Sequence, residues 1–230
     1  MLAVGQVKLI VGWILLIVCE VFMSTFLIHK LNHSAFTLLL EQIAAGDRVH
    51  AAAPHAFVAE DRAQLESDLA AWKGVLNRVV QTEKRYDEAK QTRDEAAEHF
   101  RNSVRPAREW VKGTFPRGDE RPGEYGLDLL PPRTWGKMLT YGRFLIQANT
   151  QEPPLEPTLP DRLLTPIQNA FVELQASILA YQAAGAGRIQ ATAERNTLRK
   201  EVEARTRSLR QRLYTYVSQD NPLLADYGLR

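Results

Sequence analysis

Leu65-Glu-Ser-Asp-Leu69-Ala-Ala-Trp72-Lys-Gly-Val-Leu76-Asn-Arg-Val79 places an apolar residue alternately four and three positions further along the chain. That spacing returns each apolar side chain to one stripe of an α-helix and leaves the intervening Glu, Asp, Lys and Arg on the opposite side. Beyond the polar Glu83, the same register runs through Tyr86, Lys90 and Arg93 to Ala97, Phe100, Val104, Ala107 and Val111. At a rise of about 1.5 Å per residue, an unbroken helix of this kind reaches roughly 70 Å. Pro106 falls inside the series, where a missing N–H predicts a kink or local break, and Pro116 with Gly118 closes it.

A second array repeats the form. Ile167, Phe171, Leu174, Ile178 and Tyr181 set the register, and Val202, Leu209 and Leu213 resume it after Gly185 and Arg188. Gly185-Ala-Gly187 leaves two readings open, a turn between two helices or a soft point in one. Polar residues at the middle positions (Glu83, Lys90, Arg93, Gly185, Arg188, Thr192, Arg195) are expected either to form a buried polar layer that sets register or to open the bundle to water or a small anion.

The arrays end alike. Glu124-Tyr-Gly-Leu127 and Asp226-Tyr-Gly-Leu229 stand 102 residues apart, and that displacement also places Leu65 on Ile167, Leu69 on Phe171, Trp72 on Leu174 and Val111 on Leu213. An internal duplication is expected, with the Gly of each Tyr-Gly-Leu at positive φ. Between the arrays, residues 131–166 hold 7 of the 12 prolines. They predict a short helix near Thr134–Ala148 followed by an extended, polyproline-like Gln151–Pro160. Such a return allows the two arrays to run in the same direction; a plain surface connection is the alternative.

Ala193-Glu-Arg-Asn-Thr-Leu-Arg-Lys200, Asp220-Asn-Pro222 and Tyr227-Gly-Leu229, with a looser parallel from Ala89 to Leu127, resemble a group of bacterial helical-bundle proteins of uncharacterised activity. In that group, Ala/Arg/Lys-rich helices end in an Asn-Pro or Asp-containing turn and close on Gly-Leu. The resemblance covers about half of the chain and implies an all-α fold only.

Composition is uneven. From Leu9 to Ile28, 16 of 20 residues are apolar and only Glu20 is charged. Such a run is long enough for the roughly 30 Å hydrocarbon core of a bilayer. A central acid costs about 2.5–3.5 kcal/mol if it behaves like Asp, while each Leu, Ile, Val or Phe returns about 0.3–0.6. No small-x-small cleavage site follows, which disfavours a signal peptide. The expectation is therefore a single-pass anchor, in the bacterial inner membrane, with the body extracytoplasmic and the helix running on from Leu31 to Gly46 or nearly to Pro54, a stretch that either lies in the interface or docks against the body. The chain then divides into residues 1–56 as transmembrane anchor and juxtamembrane extension, 57–130 as first helical repeat, 131–166 as Pro-rich connector and 167–230 as second repeat. The fold class is all-α, a transmembrane helix followed by an elongated, coiled-coil-like helical bundle.

A formal charge of +2 disfavours a dedicated nucleic-acid binder, and a single cysteine, Cys19, excludes an internal disulfide framework and a Cys-based zinc site. No Ser-His-Asp set, Glu-x-x-His motif, Gly-rich phosphate loop or EF-hand is present, so neither an enzyme nor a cofactor is indicated. Glu20 is the candidate for an intramembrane partner contact. From Arg188 to Arg212, eight basic residues against three acidic ones leave a net +5. Arg199, Lys200, Arg207 and Arg210 are its candidate contacts to an anionic surface, against the plainer reading of a solvated face paired with the first array. His29 and His33, four apart, with His50 and His55 following, form a weak metal-ligand pattern. The expected partners are the lipid bilayer and a homo-oligomer or membrane protein. The expected role is a non-catalytic structural or protein-interaction module; the alternative is a helical domain that senses a small ligand and signals through a membrane partner.

Overall fold

A computed structural model describes residues 31–229 apart from Arg117, Pro153, Gln219 and Asp220. Among the described residues there are α-helices and no strands: α1 (His33–Val49), α2 (Ala59–Thr114), α3 (Arg121–Glu124), α4 (Trp135–Thr150), α5 (Asp161–Tyr216) and α6 (Leu223–Asp226). The all-α bundle expected from the spacing is the fold. Each array is one continuous helix of 56 residues. Pro106 lies inside α2, Pro166 inside α5, and Gly185-Ala-Gly187 is helical, so the hairpin reading at Gly185 does not hold.

The chain divides into two compact units, and each long helix contributes to both. Among the described residues, the first holds those up to Val79 and those from Ala191 on; the second holds those from Val80 to Gln190. In the first unit, Phe36, Leu40 and Ile43 of α1 meet Leu65 and Trp72 of α2, Val202, Leu209 and Leu213 of α5, and Leu224 with Tyr227 beyond it. The facing segments are antiparallel. Asp61 pairs with Arg212 at 2.5 Å, Asp68 with Arg205 at 2.7 Å and Arg78 with Glu194 at 2.7 Å, so numbers rise on one helix as they fall on the other. Asp47, fully buried at the end of α1, accepts from the Phe57 amide at 2.7 Å and from Arg62 Nε at 2.5 Å, which ties the α1–α2 loop to both helices.

In the second unit, Met138 and Leu145 of α4 pack against Phe100, Val104, Ala107 and Val111 of α2 and Ile167, Leu174 and Ile178 of α5. His99 with Glu173 and Tyr86 with Tyr181 again show antiparallel segments. Of the two readings of the connector, the return that lets the arrays run in one direction does not hold, because in each unit the facing segments are antiparallel. The Pro-rich connector is more than a spacer. Leu159 is buried, and the Tyr125 hydroxyl donates to the Pro157 carbonyl at 2.7 Å.

The displacement of 102 now extends to whole elements. It carries α2 onto α5 and α3 onto α6 at both ends, and the start of α1 onto the start of α4. The closing turns share their hydrogen bonds: Gly126 N to Gly123 O and Leu127 N to Pro122 O correspond to Gly228 N to Ala225 O and Leu229 N to Leu224 O. Gly126 and Gly228 have φ of 69° and 64°, a region costly for any residue with a Cβ. Tyr125 and Tyr227 are buried at 1% and 0% exposure.

Two expectations need correction. The helix at Leu31 does not run on from the apolar segment: Asn32 caps α1, its side chain accepting from the Ala35 amide at 2.8 Å. The apolar face of α1 is spent on the core of the first unit, and α2 and α5 carry charges along their length. No helix among the described residues is long and apolar enough to cross a membrane, and the single-pass, inner-membrane assignment is withdrawn. The run Leu9–Ile28, with Glu20 and Cys19, and also His29, lies outside the described residues.

One core exchange between the units is testable. A Cβ on Gly142 would stand 2.5 Å from the Phe171 ring and 3.0 Å from Phe100. Gly142 and Phe171 correspond to Leu40 and Leu69, so one unit fills the layer with two leucines and the other with a glycine and a phenylalanine. Gly142→Leu alone is expected to cost about 1–3 kcal/mol by overpacking, and Phe171→Leu alone at least about 1 kcal/mol by leaving a void. The double variant recreates the pair of the first unit and should cost clearly less than the sum in urea unfolding; additive costs contradict the exchange.

Candidate functional site

Positively charged side chains in a helical bundle are ordinarily matched by neighbouring acids, so an unmatched group of them is informative. In the first unit the arginines singled out from the sequence are matched. Arg199 Nε donates to Glu203 at 2.6 Å, its Nη2 donates to the Leu31 carbonyl at 2.6 Å, and its guanidinium lies 5.2 Å from the centre of the Phe36 ring. Arg207 lies 3.7 Å from the other oxygen of Glu203, which is 2% exposed. Arg210 donates to the Tyr214 hydroxyl at 3.2 Å. Of the four candidates only Lys200 is fully exposed. The structure therefore places Arg199, Arg207 and Arg210 in local pairing rather than on an open anionic-surface face. Glu20, the fifth candidate, is outside the described residues.

The second unit differs at one corresponding position. Where Glu203 stands in α5, α2 carries Arg101, while Arg105 and Arg108 correspond to Arg207 and Arg210. Arg101, Arg105 and Arg108 fall four and three positions apart, on one face of α2. The segment after Leu127 is strapped across that face: Arg101 Nη2 donates to the Arg133 carbonyl at 2.9 Å and Arg108 Nη2 to the Asp128 carbonyl at 3.2 Å. The first strap has its counterpart in the first unit, where Arg199 grips the Leu31 carbonyl, the position corresponding to Arg133. There the gripping arginine is neutralised by Glu203; here the arginine sits one turn further along, and Ala97 stands where Arg199 would be.

The result is a cavity of about 530 Å³ lined by Glu98, Arg101, Asn102, Val104, Arg105, Arg108, Glu109, Leu130, Pro131 and Arg133. Four arginines face two glutamates. Glu98 pairs with Arg101 at 3.1 Å and Glu109 with Lys112 at 2.9 Å, an attachment that holds the Glu109 carboxyl below its ordinary range. Among the described residues, Arg105, Arg108 and Arg133 form no ion pair, and the Nε atoms of Arg101 and Arg108 are buried without a hydrogen-bond partner. Leu130, one of the lining residues, is 69% exposed. Such an arrangement attracts and orients an anion: guanidinium forks meet oxyanions in paired hydrogen bonds, and they carry no proton to give or take near neutral pH.

The middle positions do not form a buried polar layer. Glu83 and Lys90 are exposed. Arg93, at 8% exposure, lies 4.2 Å from the Tyr181 ring centre and 5.8 Å from that of Trp135, and Arg188 lies 4.2 Å from that of Tyr86. The Tyr86 and Tyr181 hydroxyls meet at 2.5 Å. That bond raises the Tyr86 hydroxyl, and it lowers that of Tyr181, to which Arg93 adds.

Of the histidine pattern, His29 lies outside the described residues, and the His50 and His55 ring centres are 5.5 Å apart. No group of three or more His, Cys, Asp or Glu suited to a metal occurs among the described residues. His33 lies 5.7 Å from the Trp72 ring centre, and burial, then Arg195 and Arg199, pull its pKa below 6.5. The unfolded chain therefore binds the proton more readily than the folded one, and stability should fall as pH drops through about 6.5. Between pH 7.5 and pH 5.5, the thermal midpoint of the native chain is expected to fall further than that of His33→Gln; equal falls contradict the assignment.

No protein-family model, curated protein or solved structure matches this chain, so a functional reading rests on its own geometry.

Proposed function

We propose that this chain is a non-catalytic helical module, built by internal duplication, that binds an anionic ligand in the arginine cavity of its second unit. The observation that carries this reading is the exchange of Glu203 for Arg101 at corresponding positions. In one unit a buried carboxylate neutralises the arginines beside it. In the other the carboxylate is replaced by a further cation, and a space of ligand size opens against it. Four arginines against two carboxylates leave an excess of positive charge at close range, so an arrangement of this kind is stabilised by an anion that offsets the excess.

Duplication is supported by the common displacement of the helices and by the two glycine turns. The non-catalytic reading is supported by the groups that face the cavity: arginines that stay protonated and a Glu109 carboxyl kept ionised by Lys112. Of the two roles raised by the sequence, small-ligand binding is favoured over a purely structural part.

Ligand that binds only the folded state raises the thermal midpoint. At a hundredfold excess over Kd the gain is about 2.7 kcal/mol, or roughly 5–10 °C for a chain of this size. Inorganic phosphate at constant ionic strength should stabilise the full chain more than the variant Arg105→Gln with Arg133→Gln. Comparison with the variant removes the general stabilisation that excluded salts confer on any protein. Equal shifts in both, or no shift in either, would refute the binding reading.

A further inference from the structure

We infer that the arginine cavity is built for a compact oxyanion carrying two or three charged groups, such as a diphosphate or a tricarboxylate, and not for an extended polyanion. This inference rests on the binding reading above and adds the ligand class to it.

The length of the positive site is set by the helix. From Arg101 to Arg108 is seven residues, about 10.5 Å of axis, and Arg133 supplies a fourth guanidinium from the strapped segment. Glu98 and Glu109 lie at the two ends of this row, eleven residues or about 16.5 Å apart, and both line the same cavity. A chain of phosphates following α2 in either direction would run from the guanidinium row onto a carboxylate. A short ligand would not. The acids thus limit the ligand by charge, as specificity is often set by what is repelled.

The number of donors sets the charge. A single phosphate occupies one or two guanidinium forks. Arg105 and Arg133 have no ion-pair partner among the described residues, and Arg101 and Arg108 hold the strap through Nη2 while still lining the cavity. Donors from four arginines exceed what one phosphate can engage. The straps also mean that these two arginines are positioned before any ligand arrives, which lowers the ordering cost of binding.

Isothermal titration of the full chain against phosphate, diphosphate, citrate and long-chain polyphosphate tests the inference. Diphosphate or citrate should bind one to one and at least about tenfold tighter than phosphate, while polyphosphate should gain nothing further per binding site. Arg105→Gln with Arg133→Gln, which leaves both straps in place, should weaken diphosphate or citrate binding at least about tenfold without altering the circular dichroism spectrum. Arg101→Glu, which installs the residue found at the corresponding position of the first unit and gives up the strap to the Arg133 carbonyl, should also weaken binding at least about tenfold. Equal affinity for phosphate and the multivalent anions, or tightest binding by polyphosphate, overturns the compact-ligand inference while leaving the cavity as an anion site. Binding of none of them, or undiminished binding by both variants, overturns the inference and the binding reading together.

Discussion

A 56-residue helix with an apolar residue every third or fourth position carries a stripe that it cannot cover alone. Burying that stripe is the dominant favourable term available to a chain of this composition, and it constrains every other element. In each unit the cover is supplied twice, by an antiparallel stretch of the other long helix and by a short helix. At 16 or 17 residues the short helix is little longer than the marginal length for a helix alone in water, so docking of its apolar face supplies most of its stability. The glycine turns follow from the same need: a positive φ at Gly126 and at Gly228 allows a buried tyrosine to be followed at once by a leucine that bonds back to the turn.

The two units therefore share a framework and diverge where the framework tolerates it. Leu40 with Leu69 and Gly142 with Phe171 fill one layer by different partition of volume, the kind of change that packing allows only in concert. Glu203 and Arg101 differ in charge at a position that borders the core without filling it. A core exchange of this type keeps a unit folded. A charge exchange at the edge leaves the core alone and gives one unit an electrostatic property that the other lacks.

Much of this was legible in the residues. The spacing through Leu65, Trp72, Phe100, Ile167 and Leu174 identified residues that are buried, and the paired Tyr-Gly-Leu segments identified turns with glycine at positive φ. Continuity across Gly185 and Pro106 was not legible, because local helix penalties of about 1 and 3 kcal/mol are outweighed by the packing of neighbouring turns. Docking of α1 on the body was one of two readings left open, and only its start differs from expectation, for a related reason. An apolar stretch that docks onto a core looks, one residue at a time, like the continuation of an apolar segment before it, and only the Asn32 cap separates them. The basic segment of α5 attracted attention through its charge count, yet Glu203 and neighbouring acids of α2 answer that charge. The cavity in the second unit was passed over because Arg101, Arg105 and Arg108 lie in a stretch of mixed charge. Carrying the 102-residue displacement through to position 101 would have exposed the missing acid.

The antiparallel pairing of the long-helix segments is the claim on which the two-unit architecture stands, and a cross-linking test reads it directly. With Cys19 replaced by serine, cysteines at Asp61 and Arg212, whose side chains meet in an ion pair, should be closed within one chain by a bis-maleimide with a reach of about 10 Å, the spacing of packed helix axes. Cysteines at Asp61 and Leu163, which parallel arrays would bring together, should not. The account predicts efficient closure of the first pair alone; closure of the second pair in preference to the first would contradict it.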